Sequence, residues 1–285
     1  IENCYNTGDV SGTGTSSYVY VYVGGVCGDN AGGTIQNCYN TGDVSGEGTQ
    51  YVFVGGVCGT NENSATIINC YNTGDVSGTS TDGSGCAGGV CGCNDFGTIQ
   101  NCYNTGDVSG TGTRTDASGY AGGVCGCNDY GTIENCYNTG EVSGTGTSTD
   151  GAGYDGGVCG WNTGTIENCY NTGDVSGTGT SSYGYVYAGG VCGTNENSAS
   201  ENSATIINCY NTGDVSGTSS NGTVYAGGVC GYNTGTITNC YWLAGTAEYG
   251  IGNPRGDTNA ESKTAEQFAS GEVAWLLNEP QTEKP

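Results

Sequence analysis

The sequence predicts an all-β protein, a parallel β-solenoid (β-helix) of about seven to eight coils, because two phrases alternate along it. In the first phrase, Asn-Cys-Tyr-Asn-Thr-Gly-Asp-Val-Ser-Gly, the cysteines of successive copies lie 31 to 40 residues apart. The second phrase, Gly-Gly-Val-Cys-Gly-x-Asn, falls between these copies. A period in this range is typical of stacked repeats, each of one supersecondary unit. The copies of Asn-Cys-Tyr-Asn-Thr-Gly-Asp-Val-Ser-Gly begin at Asn3, Asn37, Asn69, Asn101, Asn135, Asn168 and Asn208, with a degenerate copy at Asn239. The copies of the second phrase begin at Gly24, Gly55, Gly88, Gly122, Gly156, Gly189 and Gly227.

The first strand-forming text of each unit surrounds the recurrent asparagine. In the second unit, residues 34–36 (Thr-Ile-Gln) have the pattern of a strand start with Ile35 inward. Counting back from Val44 in steps of two places Cys38 and Asn40 inward. The two segments are out of phase, and a turn at Asn37 restores the register because asparagine tolerates left-handed geometry. We expect the Asn37 equivalents to form a hydrogen-bonded ladder along the axis; the alternative is a set of independent turn caps.

The second strand-forming text follows a variable loop. Residues 51–54 (Tyr-Val-Phe-Val) alternate strictly, which predicts a strand with valines inward and aromatic rings outward. We expect this strand to continue through residues 55–59 and the chain to turn back at residues 60–61. Each unit then has about three strands. Stacked in parallel at roughly 4.8 Å, the units place like residues in columns.

Composition narrows the function classes. Apolar residues make up 34% of the chain, which suits a solenoid whose coils each bury a few small side chains. The net charge of −24, from 28 acids and four bases, argues against nucleic-acid binding and against an anionic membrane surface. The sequence contains no histidine, which is the commonest general base and metal ligand. No apolar run has the length of a membrane span.

Eighteen cysteines at repeating offsets indicate a disulfide scaffold and therefore an extracellular or cell-surface location. The sequence lacks a Cys-x-x-Cys pair, which disfavours zinc. No signal peptide is visible, but the chain opens in mid-repeat at Ile1, as an excised or mature segment does.

Both main cysteine columns are predicted to point inward, and we expect them to pair within each coil. Each such loop contributes ~2–3 kcal/mol in the chain-entropy model. The rival scheme joins Cys4 to Cys27 and so on, leaving Cys240 alone; ours leaves Cys4 alone at the truncated end. The expected pairs are Cys27–Cys38, Cys58–Cys70, Cys91–Cys102, Cys125–Cys136, Cys159–Cys169, Cys192–Cys209 and Cys230–Cys240.

Three cysteines fall outside these columns. Cys93 and Cys127 occupy the same position in neighbouring units, and equivalent positions roughly 4.8 Å apart are within disulfide reach. We therefore expect a Cys93–Cys127 disulfide between coils. Cys86 has no obvious partner and is expected to be a free thiol or to pair between molecules.

The tail departs from the repeat and defines the domain organisation. We expect a disulfide-reinforced solenoid over residues 1–245 and a C-terminal cap or linker over residues 246–285, with a helix near residues 264–277. Thr264 is the predicted N-cap, with Gln267 in the capping-box position. The apolar residues of this helix would cover the last coil, since an open solenoid end is an exposed sheet edge. The residues predicted to face that coil are Phe268, Val273, Leu276 and Leu277.

Four outward columns are the candidate functional surfaces. The tyrosine column is either a β-favouring stacked surface or a glycan-binding strip. It contains Tyr5, Tyr39, Tyr71, Tyr103, Tyr137, Tyr170, Tyr210 and Tyr241. A second aromatic column contains Tyr22, Phe53, Cys86, Tyr120, Tyr154, Tyr187 and Tyr225.

The other two columns are acidic and threonine-rich. The acidic column is either a solvated face or a calcium site, because closely stacked carboxylates repel one another. It contains Asp9, Asp43, Asp75, Asp107, Glu141, Asp174 and Asp214. A flat threonine column suits ice binding, although flanking Tyr and Asp side chains interrupt it. It contains Thr7, Thr41, Thr73, Thr105, Thr139, Thr172 and Thr212.

The two phrases together resemble the GLUG motif of bacterial secreted and cell-surface proteins, including streptococcal metalloproteases that cleave immunoglobulin A. The resemblance implies a β-helical extracellular region attached to other domains. It does not imply catalysis, since the His-Glu-x-x-His motif of those proteases is absent. The family usually has an aliphatic residue where this chain has Cys27 and its equivalents, which suggests a disulfide-reinforced variant.

These observations favour a structural role: a rigid, disulfide-stapled stalk or fibre-forming segment of a bacterial surface protein. The alternatives are an adhesin that binds glycans through the tyrosine column and, less favoured, an ice-binding solenoid. An enzyme of the pectate-lyase kind is disfavoured because Arg114 is the sole basic residue within the repeats. We expect no cofactor, with calcium as the one candidate. The expected partners are other domains of a larger surface protein or copies of the same chain.

Overall fold

The chain folds as a parallel β-solenoid of about seven turns, which confirms the predicted fold class. The structure is a computed structural model that describes residues 1–16, 19–113, 118–147, 152–180, 184–198, 204–256 and 258–278. Each coil contributes one strand to each of five parallel sheets. In chain order we name these the tyrosine, serine, aromatic, cysteine and isoleucine sheets.

Three of the sheets contain the Asn-Cys-Tyr-Asn-Thr-Gly-Asp-Val-Ser-Gly phrase or the text just before it. The strands of the tyrosine sheet are Tyr5–Asn6, Tyr39–Asn40, Tyr71–Asn72, Tyr103–Asn104, Tyr137–Asn138, Tyr170–Asn171, Tyr210–Asn211, Cys240–Leu243 and Ala260–Lys263. Those of the serine sheet are Val10–Gly14, Val44–Gly48, Val76–Ser80, Val108–Gly112, Val142–Gly146, Val175–Gly179 and Val215–Ser219. Those of the isoleucine sheet are Thr34–Gln36, Thr66–Ile68, Thr98–Gln100, Thr132–Glu134, Thr165–Glu167, Thr205–Ile207 and Thr236–Thr238.

The other two sheets flank the Gly-Gly-Val-Cys-Gly-x-Asn phrase. The strands of the aromatic sheet are Val21–Gly24, Val52–Gly55, Gly85–Gly88, Gly119–Gly122, Gly153–Gly156, Tyr185–Gly189 and Thr223–Gly227. Those of the cysteine sheet are Cys27–Ala31, Cys58–Glu62, Cys91–Asp95, Cys125–Asp129, Cys159–Asn162, Cys192–Asn195, Cys230–Asn233 and Ile251–Asn253. Strands pair with their equivalents in register, so like residues do form columns.

The prediction of about three strands per coil was wrong, because sharp corners divide the coil into five. Asn37 has a φ of 53°, and this left-handed residue separates the isoleucine strand from the tyrosine strand as anticipated. The segment at residues 55–59 does not continue one strand; it passes from the aromatic sheet to the cysteine sheet. Residues 60–61 lie inside the strand Cys58–Glu62 instead of turning the chain back.

The paired glycines at this second corner are required by close backbone approach. A Cβ on Gly88 would lie 1.9 Å from the carbonyl oxygen of Cys91. A Cβ on Gly89 would lie 2.3 Å from Cγ of Asn104. Any larger residue would therefore push the two sheets apart.

The core is thin and consists of small side chains, as the composition predicts. One cluster, illustrated by Val57, Cys58 and Ile67, is fully buried along the axis. A second cluster of valines and alanines lies between the serine and aromatic sheets, for example Val44 and Val54. Ile35, Cys38 and Asn40 are buried, as the alternation predicts.

The last coil is extended by two strands from the tail. Ile251–Asn253 pairs with the cysteine sheet and Ala260–Lys263 pairs with the tyrosine sheet. Trp242 takes the position that asparagine holds in the preceding coil and is 5% exposed. Its Nε1 donates a hydrogen bond to the carbonyl oxygen of Ala260 at 3.2 Å.

Two short helices follow, α1 (Ala265–Ala269) and α2 (Glu272–Asn278). Thr264 caps α1, and Gln267 completes the predicted capping box. Gly271, with a φ of 83°, separates the helices. No helix in the described part of the chain combines the length and apolar character that crossing a bilayer requires.

Two of the four residues predicted to face the last coil, Phe268 and Leu276, contact the solenoid. The Phe268 ring lies 5.8 Å from that of Tyr210. Val273 is buried, and the carbonyl oxygen of Leu276 accepts a hydrogen bond from Asn239. Arg114 lies outside the described residues.

Candidate functional site

Two buried asparagine ladders run along the solenoid, and they are the main polar feature of its interior. In the first, Nδ2 of Asn72 donates to Oδ1 of Asn104 at 2.8 Å, and Nδ2 of Asn104 donates to Oδ1 of Asn138 at 2.9 Å. Each amide also donates to a carbonyl two residues ahead, as Asn104 does to Gly106 at 2.6 Å. Because these amides are satisfied, they join neighbouring coils at little desolvation cost.

The second buried ladder lies in the cysteine sheet. Nδ2 of Asn61 donates to Oδ1 of Asn94 at 2.8 Å, and Asn94 donates to Asn128 at the same distance. Asn61 was predicted to lie in a turn, and neither buried ladder was predicted. The sequence does contain evidence for these two ladders, since asparagine recurs at both positions and the alternation places Asn40 inward.

The predicted ladder at the Asn37 position exists, but it is exposed and weaker. Nδ2 of Asn69 donates to Oδ1 of Asn37 at 3.3 Å, and Asn101 donates to Asn69 at 3.2 Å. Asn135 donates to Glu134 instead. These residues combine both sequence-based interpretations, because each also makes a left-handed turn.

Fifteen cysteines form two columns along the axis, and all of them except Cys4 and Cys27 are buried. Thiols of a column contact their equivalents in adjacent coils, as Cys58 contacts Cys91 and Cys70 contacts Cys102. The backbone N–H of Cys70 donates to Sγ of Cys102 at 3.4 Å, and the Cys58 thiol donates to the carbonyl of Thr60 at 2.9 Å. Burial raises the pKa of Cys91 and Cys102, which keeps them protonated at neutral pH. The structure contains all eighteen as thiols, so the expected within-coil pairing stays a prediction.

The aromatic and cysteine sheets meet at a concave corner, and the side chains lining it contact one another. We call this corner the groove. Tyr187 and Tyr232 approach across it, with ring centroids 5.6 Å apart. The second aromatic column stacks along it, with centroid distances of 5.6 Å for Tyr22–Phe53 and 4.6 Å for Tyr120–Tyr154. Burial is the main cause that raises the pKa of Tyr154 to about 12.

Cys86 has a partner in this groove, which sequence reasoning missed. Its Sγ lies 2.9 Å from Sγ of Cys127, across the corner between the two sheets. Cys93 is in register with Cys127, as predicted, in the neighbouring strand of the cysteine sheet. Aligning the repeats relates each residue only to its equivalents in other coils. Such an alignment cannot detect a contact between residues of different columns.

We expect mild oxidation to form a disulfide between Cys86 and Cys127 in preference to one between Cys93 and Cys127. With glutathione disulfide as oxidant, the two thiols form one S–S bond while the oxidant is reduced to two glutathione thiols. Non-reducing peptide mapping distinguishes the products, and a Cys86→Ser variant is the control that leaves Cys93 free to compete. Recovery of Cys93–Cys127 from the unmodified chain would show that the register contact, and not the groove contact, decides the pairing.

The tyrosine column is a continuous stack of rings. From Tyr5 to Tyr210 the centroids of adjacent rings are 4.9–5.1 Å apart and the planes differ by 3–7°. The faces of these rings therefore cover one another, and the stack presents ring edges to solvent. Phe268 of α1 lies against its C-terminal end. Sugar rings pack on aromatic faces, so this geometry disfavours a glycan strip.

The acidic column supports the backbone of the next coil. Oδ1 of Asp43 accepts the N–H of Asp75 at 3.0 Å, and Oδ1 of Asp107 accepts the N–H of Glu141 at 2.9 Å. In the part of the chain that the structure describes, no three His, Cys, Asp or Glu side chains are grouped closely enough to hold a metal ion. The threonine column is exposed beside it from Thr7 to Thr172.

Asp155 is a single buried acid within the aromatic sheet. It takes a position held by Ala121 and Ala188 in the adjacent coils and is fully buried. Among the described residues, both of its carboxylate oxygens lack a hydrogen-bond partner. Burial raises its pKa well above the ordinary value of an aspartate. Nothing in the pattern of the repeats predicted this residue.

The architecture defines a parallel β-solenoid built from one repeated unit. The GLUG motif matches residues 20–45, 54–77, 83–109, 117–143, 151–176 and 184–216, which together exceed half of the chain. The chain therefore belongs to the GLUG-motif family, as the sequence resemblance indicated.

Comparison with solved structures gives a weaker likeness. One match is the crystal structure of "a putative immunoglobulin A1 protease from Bacteroides ovatus", at 21% identity and a TM-score of 0.33. It covers 87% of this chain and 69% of that one. At this TM-score the likeness carries no functional argument. No curated protein matches the chain.

Proposed function

We propose that this chain is a structural repeat module, a stiff extracellular spacer within a larger bacterial surface protein. The observation that carries the proposal is the in-register identity of the coils: tyrosine stacks on tyrosine, asparagine on asparagine and cysteine on cysteine. A catalytic site needs a unique convergence of different groups, whereas a ladder repeats one group along an axis. The chain also has no histidine to act as a general base.

The proposed extracellular location rests on cysteine content, since disulfides persist outside the cytosol. The proposed partners are flanking domains or further copies of the chain. Glycan recognition by the tyrosine column is the less favoured alternative, because stacking hides the ring faces. We propose that the isolated chain has no hydrolytic activity.

A spacer should tolerate the loss of one whole coil, and this tests the proposal. Deleting residues 170–209 removes one repeat and joins Cys169 directly to Tyr210. Cys169 then takes the place of its equivalent, Cys209. We expect the shortened chain to fold and to unfold in a cooperative thermal transition, because each interface between its coils is equivalent to one in the intact chain. The solenoid should be shorter by roughly 4.8 Å. Circular dichroism and small-angle X-ray scattering measure both quantities.

The control deletion removes 40 residues out of phase with the repeat, 135–174. It joins the isoleucine strand that ends at Glu134 directly to the serine strand that begins at Val175, so the tyrosine strand between them is lost. Loss of folded structure in both deletions would mean that the coils are not interchangeable and that the spacer proposal is wrong.

A further inference from the structure

The N-terminal part of the groove contains a recess of about 230 Å³ whose lining is aromatic and acidic. It spans the first three coils. The residues that line it are Tyr20, Tyr22, Tyr51, Phe53, Thr60, Glu62, Cys93 and Asp95.

The four rings form two walls at a right angle. Tyr22 and Phe53 are nearly parallel, at 9°, and Tyr51 and Phe53 differ by 4°. Tyr20 stands across them, at 74° to Tyr22 and 77° to Tyr51. This differs from the tyrosine stack, where adjacent rings cover each other. Tyr20, Tyr22 and Tyr51 are 53%, 42% and 40% exposed, so they remain accessible to a ligand.

The recess also carries uncompensated negative charge. Glu62 and Asp95 line it, and its described lining contains no basic side chain. Asp29 lies at its edge and accepts a hydrogen bond from Thr60. Burial, and then the neighbouring charge of Asp129, raise the pKa of Asp95. Burial, followed by the charges of Asp29 and Glu62, also raises the pKa of the Tyr22 hydroxyl. A bound cation would offset the part of both shifts that comes from the neighbouring negative charges.

We propose that this recess binds a small organic cation, specifically a trimethylated ammonium group. Such a group is attracted to the faces of aromatic rings and to nearby carboxylates, and its methyl groups fill an apolar corner that a hydrated metal ion would not. The phosphate of a zwitterionic headgroup would be repelled by the net charge of −24. The inference is independent of the spacer role, since it concerns one surface recess and not the repeat as a whole.

The test compares choline with its neutral isostere, 3,3-dimethylbutan-1-ol, by isothermal titration calorimetry on the full chain. The two probes have the same shape and differ in charge. We expect choline to bind about tenfold or more tightly, because the isostere lacks the cation–π and carboxylate attraction. Equal binding of the two probes, or no binding of choline, overturns the proposal.

Two single variants locate the site. Tyr51→Ala should weaken choline binding about tenfold, whereas Tyr185→Ala should leave it unchanged. Tyr185 is a matched control because it is 44% exposed and contacts Tyr187 and Tyr225 at the other end of the same groove. Undiminished binding to Tyr51→Ala would place the site elsewhere and overturn the assignment.

A second probe distinguishes the source of the group. A neutral peptide with one trimethyllysine is titrated in parallel with choline. Tighter binding of the peptide would identify a protein side chain as the ligand, and tighter binding of choline a free small molecule. Either result supports the recess, while binding of the peptide with unmodified lysine at equal strength would contradict selection of the methylated group.

Discussion

Replacing Asn104 by alanine should destabilise the solenoid by about 3 kcal/mol. The substitution removes three hydrogen bonds of a fully buried side chain: the one accepted from Asn72 and those donated to Asn138 and Gly106. Each is worth about 1 kcal/mol net, and partner groups left unsatisfied in the interior add to the loss. Chemical denaturation monitored by circular dichroism measures the change in the free energy of unfolding.

Thr105→Ala is the matched control for this experiment. Thr105 is the next residue, is exposed, and belongs to the threonine column. Its loss should change stability by less than about 0.5 kcal/mol. If Asn104→Ala cost no more than Thr105→Ala, the buried ladder would contribute nothing to the fold.

Replacing Asp155 by alanine should stabilise the protein, and more so at neutral pH than at acid pH. Alanine restores the residue found at positions 121 and 188 and removes a carboxyl group without a hydrogen-bond partner. At pH 3 the gain is the cost of burying a neutral carboxyl group, about 1–3 kcal/mol.

The pH dependence follows from the raised pKa of the folded state. Below the unfolded pKa of about 4, both states hold the proton and the penalty is constant. Above it the unfolded state releases the proton while the folded state keeps it, so wild-type stability falls relative to the variant. The gap should grow by about 1.4 kcal/mol per pH unit until the folded group ionises.

Unfolding of both proteins at pH 3, 5 and 7 measures this gap. Asp155→Asn is the isosteric control, since it keeps the buried polar group but cannot titrate, and its stability relative to Asp155→Ala should not vary with pH. A wild-type protein as stable as Asp155→Ala at pH 7 would refute the expectation.

The sequence predicted the fold and the inward residues because both follow from local periodicity. The recurrent phrases set the period, and alternation placed Ile35, Cys38 and Asn40 inward without knowledge of the corners. The capping box at Thr264 and Gln267 was equally local. The left-handed turn at Asn37 was found because two alternating segments were out of phase.

Features that depend on the angle between sheets could not be predicted in this way. The contact between Cys86 and Cys127, and the perpendicular placement of Tyr20, arise where the aromatic and cysteine sheets face each other across the groove. The five-strand coil depends on corners that alternation does not mark. Asp155 is a substitution in one coil and is invisible to an argument built on what the coils share.

Cysteine content is the physical support for the extracellular location that we propose. The two buried columns place thiols beside one another along the whole axis. Oxidised pairs would close loops that the thin core alone does not stabilise, at ~2–3 kcal/mol each in the chain-entropy model.

Thermal unfolding with and without reductant tests this account most directly. We expect oxidised protein to melt at least about 10 °C above the fully reduced protein, because several cross-links together contribute many kcal/mol. Thiol titration of both samples verifies their redox state. The same melting temperature for an oxidised sample with two free thiols and a reduced sample with eighteen would show that the cysteines are packing residues and that the disulfide-stapled spacer is the wrong account.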